Sequence, residues 1–211
     1  MSFSEPTTVY LVDDDAAVCR SLVRLLKAVG YRASVFNSPE EFLRHYREEG
    51  PACLVLDMHL PGITGLELQR TLTAAGRSLP IVFITGHGDV LTSVRAMKGG
   101  AVDFLPKPFL DTDLLNAVGQ AVDRSKRQHA LRLELKAVRQ RLEGLTQREQ
   151  QVLVGVVEGK LNKQIAAELG TTEKTVKVHR GRVMEKMEAS SVAELVRAIE
   201  KLRASGSASL Y

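Results

Sequence analysis

Short apolar runs of four to six residues recur along the first half of the chain, separated by longer amphipathic segments. Their starts lie about 20 to 27 residues apart, which is enough chain for a strand, a crossover helix and a return to a parallel strand. Between the first two runs, Val18, Leu22, Leu25 and Val29 fall on one helical face. We therefore predict an α/β domain built on a doubly wound, five-stranded parallel sheet. The five predicted strands are VYLV (9–12), ASVF (33–36), CLVLD (53–57), PIVFIT (80–85) and VDFL (102–105).

The pattern changes after the first half, where the periodicity becomes helical. Before one such segment, Thr146 and Glu149 have the spacing of a capping box, which predicts a helix over 147–158 that ends at Gly159. Three more helices are expected downstream, so the second half should form a small all-α domain that contains a helix-turn-helix. The predicted N-caps of the four helices are Thr146, Asn162, Thr172 and Ser191.

The segment 123–145 connects the two halves, contains no proline and has glycine only near its end. Apolar residues there alternate by four and three, which is the spacing of a coiled-coil seam. Two interpretations fit: a short coiled coil, or a linker helix that packs against one of the domains. The seam residues are Leu131, Leu135, Val138, Leu142 and Leu145.

Residues whose side chains can bind metal or phosphate stand where the predicted strands end. Asp13, Asp14 and Asp15 follow the first strand, and Asp57 ends the third; Thr85 and Lys107 stand at the ends of the fourth and fifth. In a doubly wound sheet the carboxyl ends of the strands form the edge where ligands bind, so these side chains should converge. Clustered carboxylates without His or Cys ligands suit Mg²⁺.

Charge divides the chain unevenly. Residues 1–122 hold 11 Lys and Arg against 14 Asp and Glu, a net charge of −3, whereas the remainder holds 18 against 11, a net charge of +7. The basic half is a candidate for binding a polyanion. The chain has no run of 18 apolar residues and no signal-peptide pattern at its start, so a cytoplasmic protein without membrane contact is expected. Cys19 and Cys53 lack metal-ligand spacing and are expected to be reduced thiols without a function.

The motifs LVDDD, LVLDMHLPGITGLEL, IVFITGHGD and DFLPKPF resemble those of two-component response-regulator receiver domains. The resemblance implies that Asp57 accepts a phosphoryl group from a sensor histidine kinase. It also implies Mg²⁺ as cofactor, held by Asp14, Asp57 and the backbone carbonyl of His59, with Asp13 acting through water.

The same resemblance implies that Lys107 and Thr85 bind phosphate oxygens and that Phe104 is the aromatic switch residue. It implies a dimer face formed by the last strand and the segment 89–98, and a cis Lys107-Pro108 bond. Asp15 is not required by the family pattern, so we predict that it caps the first helix or lies in its first turn. His59 and His87 should flank the phosphoryl group, and His59 stands where relatives commonly carry arginine.

The second half resembles the LuxR-type DNA-binding domain, and the combination resembles the NarL/FixJ family, in particular its FixJ-like branch, by GHGD and VKVHR. The implied protein is a non-enzymatic transcription regulator that dimerises on phosphorylation and binds double-stranded promoter DNA, where RNA polymerase is a further possible partner. The predicted domains are a receiver (1–122), a helical linker (123–144) and a helix-turn-helix domain (145–211).

A helical wheel sorts the residues of the predicted recognition helix. Val176, His179, Val183 and Met187 share one side, which should face the domain core. The opposite side should face the major groove: Lys177 and Val178 match base-contacting positions of the family, while Gly181 departs from relatives that carry a longer polar side chain. Expected DNA-binding residues are Lys174, Thr175, Lys177, Val178, Gly181 and Arg182, with Lys174, Thr175 and Arg182 as phosphate contacts.

Two other functions stay open on the sequence alone. Asp13 and Asp15 also spell the D-x-D of an Mg²⁺-dependent haloacid-dehalogenase-type phosphohydrolase, although Asp111 and Asp113, which would have to supply its further acidic pair, instead resemble a helix cap. The other alternative is a regulator that binds DNA independently of phosphorylation. Replacing Asp57 separates these functions from the phosphorylation-dependent one.

Overall fold

The computed structural model describes residues 7–86 and 90–206. The chain packs as two compact units that divide between Ala130 and Leu131. The first unit contains five strands that alternate with helices. In chain order these elements are β1 (Thr8–Val12), α1 (Ala16–Ala28), β2 (Arg32–Phe36), α2 (Pro39–His45), β3 (Ala52–Asp57), α3 (Gly65–Ala74), β4 (Ile81–Thr85), α4 (Val90–Lys98), β5 (Asp103–Pro106) and α5 (Asp111–Glu143).

The five strands pair in parallel in the order β2-β1-β3-β4-β5, which confirms the predicted doubly wound sheet. Each predicted strand is present, with bounds that differ by a residue or two. Alternation along β3 shows how the sheet is covered on both faces, because successive side chains of a strand point to opposite sides. Leu54 and Leu56 pack with residues of α2, α3 and α4, whereas Cys53 and Val55 pack with residues of α1 and α5.

Local capping explains where several helices begin. The Ser38 hydroxyl accepts the Glu41 amide at the start of α2, and Pro39 occupies the first helical position, where its missing N–H costs nothing. Asp15 Oδ1 accepts the amides of Ala17 and Val18, which confirms its predicted N-cap role at α1. These hydrogen bonds lower the pKa of the Asp15 carboxyl.

The second unit contains the end of α5 and four further helices. These are α6 (Gln147–Val157), α7 (Asn162–Glu168), α8 (Glu173–Lys186) and α9 (Val192–Ala204). The capping box of Thr146 and Glu149 is confirmed, as are the N-caps Thr172 and Ser191. The predicted cap at Asn162 is wrong: Leu161 is the N-cap, and its amide donates to Gln164 Oε1 at 2.8 Å. The Asn162 side chain instead accepts a hydrogen bond from Arg180 Nη1 at 3.0 Å.

Four of the five seam residues of the linker segment belong to or pack against the core of this second unit. Val138 and Leu145 are buried there, and Leu135 and Leu142 pack against the same core, while Leu131 is 42% exposed. The part of the linker after Ala130 therefore packs within the second unit, which fits the second interpretation of its pattern. Within the described ranges, no helix has the length and apolar character needed to cross a membrane.

Candidate functional site

The carboxyl ends of three central strands and the segment after β5 bring the predicted site residues together. Asp13 follows β1, Asp57 ends β3 and Thr85 ends β4. The register places Asp57 beside Ile84, and Thr85 beside Pro106, so Lys107 comes directly after the last paired position of β5. The Lys107 amide donates to the Thr85 carbonyl at 2.6 Å, and the Lys107-Pro108 bond is cis, as the resemblance implied.

Lys107 bridges two carboxylates of this cluster. Its Nζ lies 2.8 Å from Asp13 Oδ2 and 2.6 Å from Asp57 Oδ2. Burial alone would lower the pKa of Lys107, but its hydrogen bonds to the two carboxylates outweigh burial and raise this pKa. Lys107 therefore keeps its positive charge beside Asp13 and Asp57.

Backbone amides orient the two buried carboxylates. The Asp15 amide donates to Asp13 Oδ1 at 2.8 Å, and the His59 amide donates to Asp57 Oδ1 at 2.9 Å. Each carboxylate thus has one oxygen on the backbone and the other on Lys107. These contacts hold both side chains in one orientation, with Asp57 at the carboxyl end of β3.

The donor set also fits a divalent cation. Asp13, Asp14 and Asp57 each offer a carboxylate oxygen, and these oxygens lie within 4.8 Å of one another. Burial raises the pKa of Asp13 despite its hydrogen bond to Lys107, so the single ammonium does not fully compensate this carboxylate. An all-oxygen site of three acids suits Mg²⁺, and exposed Asp14 lies at its open side.

Asp14, rather than Asp15, joins Asp13 and Asp57. Because Asp15 caps α1, the D-x-D pattern needed by the hydrolase alternative does not converge on this site. This agrees with the prediction from the resemblance that Asp14 belongs to the cluster and Asp15 caps the first helix.

The predicted switch residues lie in different environments. Thr85 is fully buried, and its Oγ1 lies 3.3 Å from Nδ1 of the exposed His59. Phe104 pairs with Phe83 in the sheet register and is half-buried against the core. His87, the second predicted flanking histidine, lies outside the described residues, as does Asp89 at the start of the predicted dimer face.

Gly65 allows α3 to begin close to the end of β3. A Cβ at this position would lie 2.7 Å from the Asp57 carbonyl oxygen and 3.2 Å from Met58 Cα. The Gly65 amide donates to the Met58 carbonyl at 3.2 Å. A side chain at position 65 would push against backbone atoms that position Asp57, so the close approach requires glycine.

The recognition helix predicted in the second unit is α8. Val176, Val183 and Met187 are buried, and His179 is half-buried, as the helical wheel predicted for the inner side. Five of the six candidate DNA-binding residues are exposed on this helix, and Thr175 is half-buried. The exposed ones are Lys174, Lys177, Val178, Gly181 and Arg182.

Arg180 is a positioning residue that the sequence reasoning missed. Its hydrogen bond to Asn162 ties the recognition helix α8 to the first residue of α7. The two residues are 18 positions apart and match no local motif, so only the tertiary structure reveals the pair. The hydrogen bond fixes α8 against the first helix of the helix-turn-helix.

Comparisons with known proteins agree with this architecture. Residues 9–119 match the response regulator receiver domain model, and residues 143–199 match the model of bacterial regulatory proteins of the luxR family. Nodulation protein W of Bradyrhizobium diazoefficiens is 46% identical over 199 residues, covering 94% of this chain and 88% of that protein. The transcriptional regulatory protein FixJ of Azorhizobium caulinodans is 44% identical over 193 residues, covering 92% of each chain.

A solved structure is similar over nearly the whole length. The response regulator StyR superposes with a TM-score of 0.84 at 47% identity, covering 93% of this chain and 99% of that one. The sheet, the acidic cluster and the helix-turn-helix are thus accounted for by one family. The chain belongs to the response regulators of the NarL/FixJ family, in which a receiver domain precedes a LuxR-type DNA-binding domain.

Proposed function

We propose that a sensor histidine kinase phosphorylates Asp57, and that the phosphorylated protein dimerises and binds operator DNA in the cytoplasm. The observation that carries the proposal is the contact of Asp57 Oδ2 with Lys107 Nζ at 2.6 Å, in a cluster that also contains Asp13 and Asp14. This arrangement supplies a nucleophile, a fixed cation and a set of metal ligands within one site.

Phosphoryl transfer requires positioning and charge stabilisation more than covalent work from the protein. A carboxylate oxygen of Asp57 bonds to phosphorus while the bond from phosphorus to the donor imidazole nitrogen breaks, and the electron pair returns to that nitrogen. Lys107 contacts both Asp13 and Asp57, so its ammonium can retain Asp13 while it binds an oxygen of the new phosphoryl group.

The proposed metal ligands are Asp14, Asp57 and the backbone carbonyl of His59, with Asp13 acting through water. When bound, Mg²⁺ supplies positive charge that offsets the negative charge of the phosphoryl oxygens. Asp14 is the exposed member of the cluster and is therefore the member that meets solvent and an entering ion. The backbone amide at His59 keeps Asp57 Oδ1 oriented throughout.

The signal is proposed to leave the site through Thr85 and Phe104. A phosphoryl oxygen would compete for the Thr85 hydroxyl, and the half-buried ring of Phe104 would move into the space that Thr85 vacates. An apolar surface on α4 supports dimerisation as the output, because exposed large apolar patches mark interaction sites. Its residues are Val90, Leu91, Val94 and Met97, each at least 43% exposed.

DNA binding is assigned to the exposed face of α8. A single domain presents one recognition helix, whereas a two-fold dimer presents two to adjacent half-sites. Linking two weak binders raises apparent affinity through effective concentration, so dimerisation alone can couple phosphorylation to DNA binding. Lys177 and Val178 are the proposed base contacts; Lys174, Thr175 and Arg182 are the proposed phosphate contacts.

Intact-mass spectrometry with acetyl phosphate and Mg²⁺ tests the phosphosite. We expect one added phosphoryl group, which Asp57→Asn abolishes and Asp14→Ala strongly reduces. Light scattering and selection of tight binders from random duplexes then test the output. Equal oligomeric state and equal duplex binding of the phosphorylated and Asp57→Asn proteins would instead support the phosphorylation-independent alternative.

A further inference from the structure

A cavity of about 300 Å³ lies at the amino-terminal end of β4, the opposite end of that strand from Thr85. It is therefore separate from the phosphorylation site. The segments that border it are part of α3, the turn before β4, the turn between α4 and β5, and part of α5. Its polar and glycine lining includes Arg77, Ser78, Gly99, Gly100, Arg124 and Gln128.

The charge of this cavity is one-sided. Among the described residues that line it there are two arginines and no aspartate or glutamate. A second cavity, of about 620 Å³ in the DNA-binding unit, has three acidic and three basic lining residues. Charges at that second cavity also pair with one another, as Lys201 does with Glu134 at 2.5 Å. Only the smaller of these two cavities therefore has an excess of positive charge.

Arg77 carries part of this excess charge, and no carboxylate among the described residues pairs with it. Its guanidinium carbon lies 5.3 Å from the ring centroid of the buried Tyr46, which fixes the guanidinium over the aromatic face. Its Nη1 is buried and has no hydrogen-bond partner, and within the described part of the chain Arg77 forms no ion pair. Buried donors normally form hydrogen bonds and buried charges are normally paired. A hydrogen-bond acceptor with negative charge would therefore stabilise this guanidinium.

Two residues of α5 complete the polar wall. Arg124 Nη1 donates to the Gly100 carbonyl at 3.1 Å, which holds the exposed guanidinium at the cavity and leaves its other N–H groups for a ligand. The amide oxygen of Gln128 is buried without a partner. A glutamine side chain carries an acceptor oxygen and a donor NH₂ group, and rotation about its Cγ–Cδ bond exchanges their positions, so this amide can offer either a donor or an acceptor.

We propose that this cavity binds a small oxyanion, a carboxylate or a phosphate, between Arg77 and Arg124. Guanidinium groups present paired N–H donors that match the two oxygens of such a group. The volume is at the lower end of small-molecule pockets, which fits an anion of a few heavy atoms. A bound anion would link the turn between α4 and β5 to α5 through Gly100, Arg124 and Gln128.

The test uses full-length protein without Mg²⁺ and two probes, inorganic phosphate and succinate, titrated separately at constant ionic strength. Amide NMR signals of Ser78, Gly99 and Gly100 report the cavity, and those of residues 57–59 report the phosphorylation site. We expect saturable shifts at the cavity amides, with residues 57–59 unchanged. Tighter phosphate binding assigns the site to phosphate compounds, and tighter succinate binding assigns it to carboxylic acids.

Three variants separate site binding from general attraction of anions. Arg77→Met keeps an apolar side chain against Tyr46, and Arg124→Ala changes an exposed residue whose loss should not impair folding. Each should weaken binding at least about tenfold, the value of one lost charge-assisted hydrogen bond. Arg127→Ala, which removes an exposed α5 arginine outside the cavity lining, should leave the affinity unchanged. Shifts that do not saturate, or that are equal in all three variants, would overturn the proposal.

Discussion

His59 Nδ1 lies 3.3 Å from Thr85 Oγ1, so an exposed imidazole contacts the buried hydroxyl that the proposed mechanism assigns to the phosphoryl group. A hydroxyl has one proton to donate. If that proton is shared with His59 before phosphorylation, the new phosphoryl oxygen must compete with the imidazole. His59 is thus placed to affect both the position of Thr85 and the approach of water to phospho-Asp57.

We predict that His59→Arg slows the loss of phosphate from Asp57 by at least about threefold. Imidazole can orient an attacking water as a base, whereas the longer guanidinium would shield the phosphoryl group. The measurement is the half-life of phospho-Asp57 in both proteins at pH 7. His45→Arg changes an exposed histidine on α2 and is the control. Equal half-lives in all three proteins would make His59 a bystander.

Repeating the comparison in a Thr85→Ala background separates the two routes. If His59 acts through the Thr85 hydroxyl, the effect of His59→Arg disappears when that hydroxyl is absent. If the effect persists, His59 acts on the attacking water directly.

Gly65→Ala should destabilise the receiver domain by about 1–3 kcal/mol, the usual cost of overpacking. The added Cβ meets backbone atoms of Asp57 and Met58, which cannot move aside as a flexible side chain can. Phosphorylation by acetyl phosphate should also slow, because Asp57 is displaced. Urea unfolding followed by NMR signals of residues 7–122 measures the stability. Gly119→Ala is the matched control: it has open space within α5 and should stabilise by about 0.5–1 kcal/mol.

Two lysines of α8 should differ in how they bind DNA. Lys177→Ala should relax preference at one base position and cost about 1–3 kcal/mol there. Lys174→Ala should weaken binding to all DNA sequences alike. It should also reduce the slope of log K against log salt concentration by about one, because one fewer counterion is released. Binding titrations at several salt concentrations measure both, with Lys126→Ala as a control on α5. The same signature for Lys174→Ala and Lys177→Ala would contradict the assignment of residues to the groove.

Gly181→Ala tests how closely α8 approaches DNA. Nothing lies within 4 Å of a Cβ at this exposed helical position, so the free protein should gain about 0.5–1 kcal/mol of stability. Unchanged operator affinity would mean that glycine merely omits a base contact here. Weakened affinity would mean that the helix backbone approaches the DNA too closely for a methyl group.

Low pH should reduce the folding stability of the DNA-binding domain through protonation of Glu149. Its Oε2 lies 2.7 Å from Lys186 Nζ and 2.9 Å from the Thr146 amide; these contacts, the lysine first, lower the pKa of Glu149 from 4.5 to about 2. A depressed folded-state pKa stabilises above the unfolded value, so this contribution is complete above about pH 4.5 and is lost toward pH 2.

The stability difference between the native protein and Glu149→Gln should therefore shrink as pH falls from 4.5 to 2. Urea unfolding monitored by NMR signals of α6 measures it without interference from the receiver domain. Glu134→Gln removes the carboxylate of an exposed ion pair and should show a smaller dependence. A constant difference for Glu149→Gln across this range would contradict the assigned role of the carboxylate.

Sequence reasoning located the strands and the sheet edge because alternation and strand spacing are local properties. It also located the caps at Asp15, Thr146, Thr172 and Ser191, because a capping side chain bonds to amides two or three residues away. The cap at Asn162 was wrong, since its side chain pairs with a residue of another helix. The contact of His59 with Thr85 was likewise not predictable, since it joins two strand ends that are 26 residues apart.

The packing of the linker helix limits where the DNA-binding domain of one such regulator can be fused to the receiver domain of another. A genetic fusion placed at residue 143, where the match to the luxR family begins, would leave Leu135, Val138 and Leu142 behind with the donor's first half. Burial of one such side chain contributes about 1.5–3 kcal/mol, a large share of the stability of a small domain. A recombinant would lose that contribution unless its new neighbour supplied equivalent side chains. To keep these side chains, a fusion would therefore have to join the two proteins inside α5, before Leu135.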